Sequence, residues 1–210
     1  LLRRIAEKHG AICGETLTGF KWLANLALAH DGPFVIGFEE ALGYSVGEVV
    51  RDKDGISAAL ILLDLASNLK ARGQTLWDAW KRIDERYGAH RSTQVAIKMD
   101  GEDGAKAIQG AMQSLRENPP TELADSDVMQ LRDVQSSVSM DCKTGASTQI
   151  PLPKSNVIEF TLEDKSRILA RPSGTEPKIK FYVEVVASTS DIAEKRLKEV
   201  VAAVRKRTGL

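Results

Sequence analysis

At 210 residues the chain has room for one domain or two small ones, and for a real core. Hydrophobic residues make up 42% and charged residues 28%, ordinary for a globular protein, and Lys plus Arg match Asp plus Glu at 29 each. That balance leaves no bulk field to recruit nucleic acid or an anionic membrane, so any anion site must be local.

Leu1-Leu-Arg-Arg-Ile-Ala-Glu-Lys8 reads like the inside of a helix that ends at Gly10, where a left-handed backbone costs little, and a segment upstream is expected. No apolar run approaches the roughly 18 residues of a membrane span, and no signal-peptide pattern opens the sequence. Cys13 and Cys142 fit no metal or redox spacing, so a cytoplasmic setting is expected. Residues 11–19 look strand-like. Pro33-Phe-Val-Ile-Gly-Phe38 is a short apolar run that predicts a strand buried on both faces. Asp52 or Asp54 can cap a helix over residues 56–72, with Ile56, Leu60, Leu63 and Leu69 inward and Gly73 ending it. Thr75 can cap a second helix that faces inward through Leu76, Trp80, Ile83 and Tyr87, with Gly88 closing the unit.

Beyond residues 87–92 the rhythm changes, and we expect domains over 1–88 and 89–210. Residues 93–99 predict a strand and 103–117 a helix through Ala107, Ala111 and Leu115, broken at Asn118-Pro-Pro-Thr121. Strands are predicted over 134–140, 157–161, 167–170 and 178–186. A last helix spans about 191–205 with Ile192, Leu197, Val200, Val201 and Val204 inward. The order β-α-β-β-β-α predicts an α+β domain with helices on one face of an antiparallel sheet.

Between the last two strands lies Arg171-Pro-Ser-Gly-Thr-Glu-Pro177. Arg171 offers a bidentate fork and Ser173 and Thr175 offer hydroxyls, while Gly174 permits an anion-binding nest. Pro172 and Pro177 stiffen the loop, and Lys178 and Lys180 add positive charge. By residues alone this is either an anion site or a hairpin turn with a surface arginine. The motif resembles the phosphate-binding loop of the last domain of the phosphoglucomutase/phosphomannomutase family, and two further segments match that family in order and spacing.

Gly37-Phe-Glu-Glu-Ala-Leu-Gly-Tyr44 sets two carboxylates on a Gly-bounded loop, able to accept from neighbouring sugar hydroxyls or simply to open a helix as a solvated pair. It is similar to the family's sugar-binding loop. By that match Glu39 holds the O3 and O4 hydroxyls with Glu40 beside it, and Ala41 replaces the usual serine. In Glu15-Thr-Leu-Thr-Gly-Phe-Lys-Trp22 a lysine between aromatics is either partly desolvated, suiting anion contact or proton shuttling, or snorkels from a helix start. It resembles the family's Thr-Gly-aromatic-Lys loop. The match implies that Gly19 lies at the sugar site and that Lys21 contacts the sugar phosphate or, as an auxiliary catalytic group, assists proton transfer.

The resemblance implies an incomplete mixed α/β third domain followed by a β-α-β-β-β-α C-terminal domain of TATA-box-binding-protein-like form. The implied function is that of the substrate-binding half of a phosphohexomutase, which interconverts hexose 1-phosphate and hexose 6-phosphate through a bisphosphate. Mg²⁺ and glucose 1,6-bisphosphate serve the parent enzyme, and the motifs in this chain bind neither. Asp52-Lys-Asp-Gly55 has too few carboxylates for a metal loop, and no Thr-Ser-His-Asn-Pro-like phosphoserine loop occurs. The expected partners are a phosphorylated hexose and the N-terminal domains of the same enzyme, and the chain by itself is expected to be inactive. A stand-alone phosphosugar-binding module without catalysis is the alternative.

Overall fold

The computed structural model describes residues 1–39, 43–99, 102–174 and 176–208, residue 102 by its backbone alone. The chain divides into two compact units, Leu1–Ile83 and Asp84–Leu210.

The first unit opens with α1 (Leu2–Lys8), stopped by Gly10 at φ 67°. Residues 11–19 form no strand, contrary to expectation, and lead instead into α2 (Phe20–Leu28), which the sequence reading offers only as an alternative helix start at Lys21. The turn into that helix runs through Gly19 at φ 127°, a conformation that L side chains rarely adopt. β1 (Ile36–Glu39) then pairs antiparallel with β2 (Gly43–Val46). β1 is not buried on both faces: with one partner strand among the described residues, Val35, Ile36 and Phe38 stay exposed.

α3 (Gly55–Ala71) is capped by Asp54, which accepts from the Ile56 and Ser57 amides, and Gly73 at φ 67° follows its end. The predicted inward stripe holds only at Leu69, since Ile56 is 86% exposed and Leu60 and Leu63 are exposed as well. α4 (Leu76–Tyr87) starts with a reciprocal cap: the Thr75 hydroxyl accepts from the Asp78 amide, and the Asp78 carboxylate accepts from the Thr75 amide. No residue of its predicted stripe is buried. A helix apolar around its circumference, like α3, needs more covering than the described part of the unit supplies.

The second unit comprises β3 (Ala89–Lys98), α5 (Glu102–Glu117), β4 (Glu122–Leu123), β5 (Ser126–Asp133) and β6 (Val138–Asp141). It continues with β7 (Ser147–Gln149), β8 (Ile158–Leu162), β9 (Arg167–Pro172), β10 (Lys178–Ala187) and α6 (Ser190–Thr208). The sheet runs β3-β10-β9-β8-β5-β6-β7, with β4 against β5, and every pairing is antiparallel. Ile179, Phe181 and Val183 alternate on one face of β10, in one buried cluster with Ile108, Met112 and Leu115 of α5 and Ala193, Val200 and Val204 of α6. Both helices therefore cover the same face, as the α+β reading expects.

Three details differ from the sequence reading. Of the predicted strand over 134–140, residues 138–140 belong to β6, while 134–137 are the turn between β5 and β6, closed by the Asp133 carboxylate accepting from the Gln135 amide. α5 buries Ile108 and Met112, and leaves Ala107 exposed. In α6 the small residue Ala193 faces in, in phase with Leu197, Val200 and Val204, so Ile192 one position earlier is exposed.

At the start of the second unit Arg91 donates two bonds to Asp84, at 2.7 and 3.3 Å, and one to the Ser190 hydroxyl at 2.6 Å; that hydroxyl donates to Asp84 at 2.9 Å. The Arg91 hydrogen bond holds the Asp84 carboxyl below its ordinary value of 3.8. A depressed carboxylate adds stability that is complete above the unfolded value and lost as pH falls through the folded one. Asp84→Ala should therefore lower the stability of this unit by about 2 kcal/mol at neutral pH. In urea titrations its difference from the parent should shrink as pH drops below 3.8. A difference unchanged down to strong acid would exclude this ionic origin.

Candidate functional site

Glu39 ends β1 with its side chain 9% exposed, and burial at that level requires partners. One carboxylate oxygen accepts from the Gly19 amide at 2.7 Å, at the N-terminus of α2, where the helix presents its positive end. The other lies 3.8 Å from Lys53 Nζ. Two of the predicted sugar-site residues, Gly19 and Glu39, are thus in direct contact across twenty positions of sequence. Glu40, predicted beside them, lies outside the described residues.

Phe20 and Lys21 part company because consecutive helical residues point in different directions. The Phe20 ring is 4% exposed and packs against Gly43, and the Lys53 ammonium sits 4.4 Å from its centroid. Lys21 turns to solvent on the first turn of α2, 5.1 Å from the centre of the Trp22 ring, which matches the second of its two sequence readings, a lysine snorkelling from a helix start. A concavity of about 170 Å³ between α2 and the β1–β2 hairpin includes Leu23, Ala27, Phe34 and Arg51 in its lining, and none of the predicted site residues.

The segment Asp52-Lys-Asp-Gly55 resolves into separate tasks. Asp54 gives one oxygen to the Ile56 and Ser57 amides and the other to the Ser57 hydroxyl, and the Ser57 bonds hold its carboxyl below the ordinary range. Asp52 accepts from the Lys53 amide at 2.7 Å. Capping consumes the oxygens that a metal would need, and among the described residues no three His, Cys, Asp or Glu side chains gather.

In the second unit the loop between β9 and β10 is pinned by the Ser173 amide donating to the Lys178 carbonyl at 2.8 Å. Arg171 lies opposite Lys180 in the register and Lys178 opposite Lys98. The alternation that buries Ile179 and Phe181 puts all four cations on the face away from the helices. Like charges directly opposite one another destabilise a sheet, so such a cluster is self-repelling unless an anion answers it. Glu176 partly does so. Its carboxyl is held below the ordinary range, first by the Lys178 hydrogen bond and also by the charges of Lys98 and Lys180. Gly174 is exposed, its φ lies outside the left-handed region, and the Ser173–Lys178 bond closes the loop. Thr175 lies outside the described residues.

Sequence reasoning passed over two residues. Lys98 joins the cation cluster because the first strand of the unit pairs with the last, which chain order conceals. Lys53 sat inside a segment read as a helix cap, and its placement between two carboxylates was the available signal.

The chain superposes on the open form of the exocytosis-sensitive phosphoprotein pp63/parafusin, a phosphoglucomutase from Paramecium. The TM-score is 0.65 at 21% identity, over 99% of this chain and 35% of that one, a likeness that establishes the fold. Residues 1–87 match the family described as phosphoglucomutase/phosphomannomutase, alpha/beta/alpha domain III, and residues 78–204 match its C-terminal domain. The chain belongs to the phosphoglucomutase/phosphomannomutase family. It is 40% identical over 205 residues to a probable phosphomannomutase of Haemophilus influenzae, and 36% identical over 198 residues to a phosphoglucomutase of Staphylococcus aureus. These alignments take in 97% and 93% of this chain but only 38% and 36% of the relatives.

A Cβ added at Gly43 would stand 2.5 Å from the Phe20 ring and 3.1 Å from Lys53 Cγ. Gly43→Ala should therefore destabilise the first unit by about 1–3 kcal/mol, as overpacking does. Pairing it with Phe20→Leu should recover part of the loss in thermal unfolding; strictly additive losses would contradict the contact.

Proposed function

We propose that this chain provides the substrate-binding half of a phosphohexomutase that interconverts hexose 1-phosphate and hexose 6-phosphate, of glucose or mannose or both, through a bisphosphate intermediate. The observation that carries the reading is the opposition of Arg171 to Lys180 and of Lys178 to Lys98, a self-repelling arrangement that a phosphate dianion relieves. Arg171 and Lys180 grip the substrate's phosphate, with Ser173, Gly174 and Thr175 completing the loop. Glu39, with Glu40 beside it, accepts from neighbouring sugar hydroxyls, a task suited to an acceptor-only group. Lys21, exposed on the first turn of α2, contacts the sugar phosphate or assists proton transfer.

These residues bind and orient. None of them stores and returns a phosphoryl group, and Asp52 and Asp54 do not fit Mg²⁺, because both Asp54 oxygens are taken by the helix cap. The other domains of the parent enzyme are the proposed partners. A cytoplasmic setting suits the unpaired Cys13 and Cys142, and among the described residues no helix is long and apolar enough to cross a membrane.

Calorimetry separates the two binding roles. Arg171→Ala should lose roughly ten- to hundredfold in affinity for a hexose phosphate and little for the bare hexose, the scale of a charge-assisted bidentate contact. Glu39→Gln should spare inorganic phosphate and weaken the phosphosugar. Equal losses for all ligands would overturn both assignments. In a coupled assay with glucose 1-phosphate, glucose 1,6-bisphosphate and Mg²⁺, the 210-residue chain should give no turnover. Turnover by homogeneous protein would mean that the phosphoryl carrier lies among these residues.

A further inference from the structure

Resting on the phosphate-gripping role proposed for Arg171, we infer that Lys98 is a further specificity-determining residue of that site. Lying outside the loop, at the end of β3, it favours a doubly charged phosphate ester over a singly charged ester of the same shape. Lys98 pairs with Lys178 in the β3–β10 register, and Lys180, next on that face of β10, pairs with Arg171. Alternation with the buried Ile97 and Ile179 sets these side chains on the face away from the helices.

The strand end that carries Lys98 is tied to the loop itself. The next amide, of Met99, donates to the Pro177 carbonyl at 2.9 Å, and the Ser173 amide closes the loop on the Lys178 carbonyl at 2.8 Å. The first turn of α5 stands against the Met99 carbonyl. A Cβ added at Gly104 would overlap that oxygen, so a glycine is what lets the two backbones meet. The Lys98 backbone is therefore clamped between the loop and α5, while its side chain is exposed. Its charge reaches the loop. After the Lys178 hydrogen bond, Lys98 is among the charges that hold the Glu176 carboxyl below its ordinary range.

Attraction scales with the product of the charges, so one cation contributes about twice as much free energy to a dianion as to a monoanion in the same place. Arg171 recognises the planar set of oxygens through its fork, whereas a lysine acts as a point charge and reads charge alone. Solvent screens the exposed Lys98, so the expected effects are modest. Glucose 6-phosphate and glucose 6-sulfate are the probes, alike in shape and one charge apart at about pH 8, where the phosphate ester is fully ionised. By calorimetry, Lys98→Gln should lose about fivefold in affinity for the phosphate ester, about twofold for the sulfate ester and nothing for glucose. Lys98→Glu should lose the same factor again for the phosphate ester, and Lys98→Arg should stay within about twofold of the parent. Lys195→Gln removes an exposed charge from α6, on the other side of the sheet, and should bind like the parent.

No loss in Lys98→Gln, equal losses for the two esters, or the same loss in Lys195→Gln would each overturn the role of Lys98. An Arg171→Ala variant that binds glucose 6-phosphate like the parent would instead overturn the phosphate reading on which the inference rests.

Discussion

A carboxylate removed from water costs several kcal/mol unless hydrogen bonds or a counter-charge answer it. Glu39 meets that condition with groups drawn from distant points in the sequence, and much of the first unit's local geometry follows. The Gly19 amide must point at the carboxylate, which fixes where α2 begins. Once α2 begins there, Phe20 goes inward, and the hairpin has to pass over its ring through a residue without a side chain, Gly43. The same ring then bears the Lys53 ammonium, and the loop before α3 is held against the hairpin by the Asp54 amide. Substitutions at any of these positions should therefore be felt at the others.

The second unit depends on register rather than on a buried charge. β3 and β10 are aligned over ten residues, and β9 continues the alignment on the other side. Because side chains alternate, one register decides both that Phe181 and Val183 enter the core and that Arg171, Lys180, Lys178 and Lys98 share the opposite face. A slip by one residue would bury the cations and expose the core together. The core thus enforces an arrangement of like charges that the strands alone would resist.

Segments with strong punctuation were legible in the sequence. Thr75, Gly73 and Gly10 behave as cap, stop and stop, and residues 178–186 alternate cleanly enough to give β10 to within a residue. Where two signals conflict, legibility failed. α2 follows a Thr-Gly pair that reads as loop, and its sequence Phe-Lys-Trp-Leu-Ala-Asn-Leu-Ala-Leu is apolar on too many sides for a clear period. β5 carries an irregularity between Val128 and Gln130 that breaks the two-residue alternation. In α6 the error was one of phase. Ile192 is the larger apolar residue, yet Ala193 lies in step with Leu197, Val200 and Val204. The three motif loops were legible as motifs because each concentrates glycine and charge. Which lysines serve them was not, since Lys53 and Lys98 reach their clusters only through tertiary pairing.

The two half-sites differ in a way that suits the ligand parts proposed for them. Hydroxyl groups of a sugar are distinguished by direction, and a hydrogen bond weakens steeply as its angle departs from linear. An acceptor that reads them has to be rigid, and Glu39 is largely buried and doubly restrained. A phosphate is a compact dianion whose attraction to cations falls slowly with distance and little with angle. Lysines on flexible stems, half-exposed around a short loop, are sufficient for it, and Arg171 adds the one fixed fork. Glu176 belongs to the same logic. A carboxylate among the lysines lowers their mutual repulsion, and a phosphate dianion would offer the same cations more charge than this single one. Rigid acceptance of hydroxyls and tolerant gripping of a phosphate make opposite demands on a side chain, and the two units differ in the same sense.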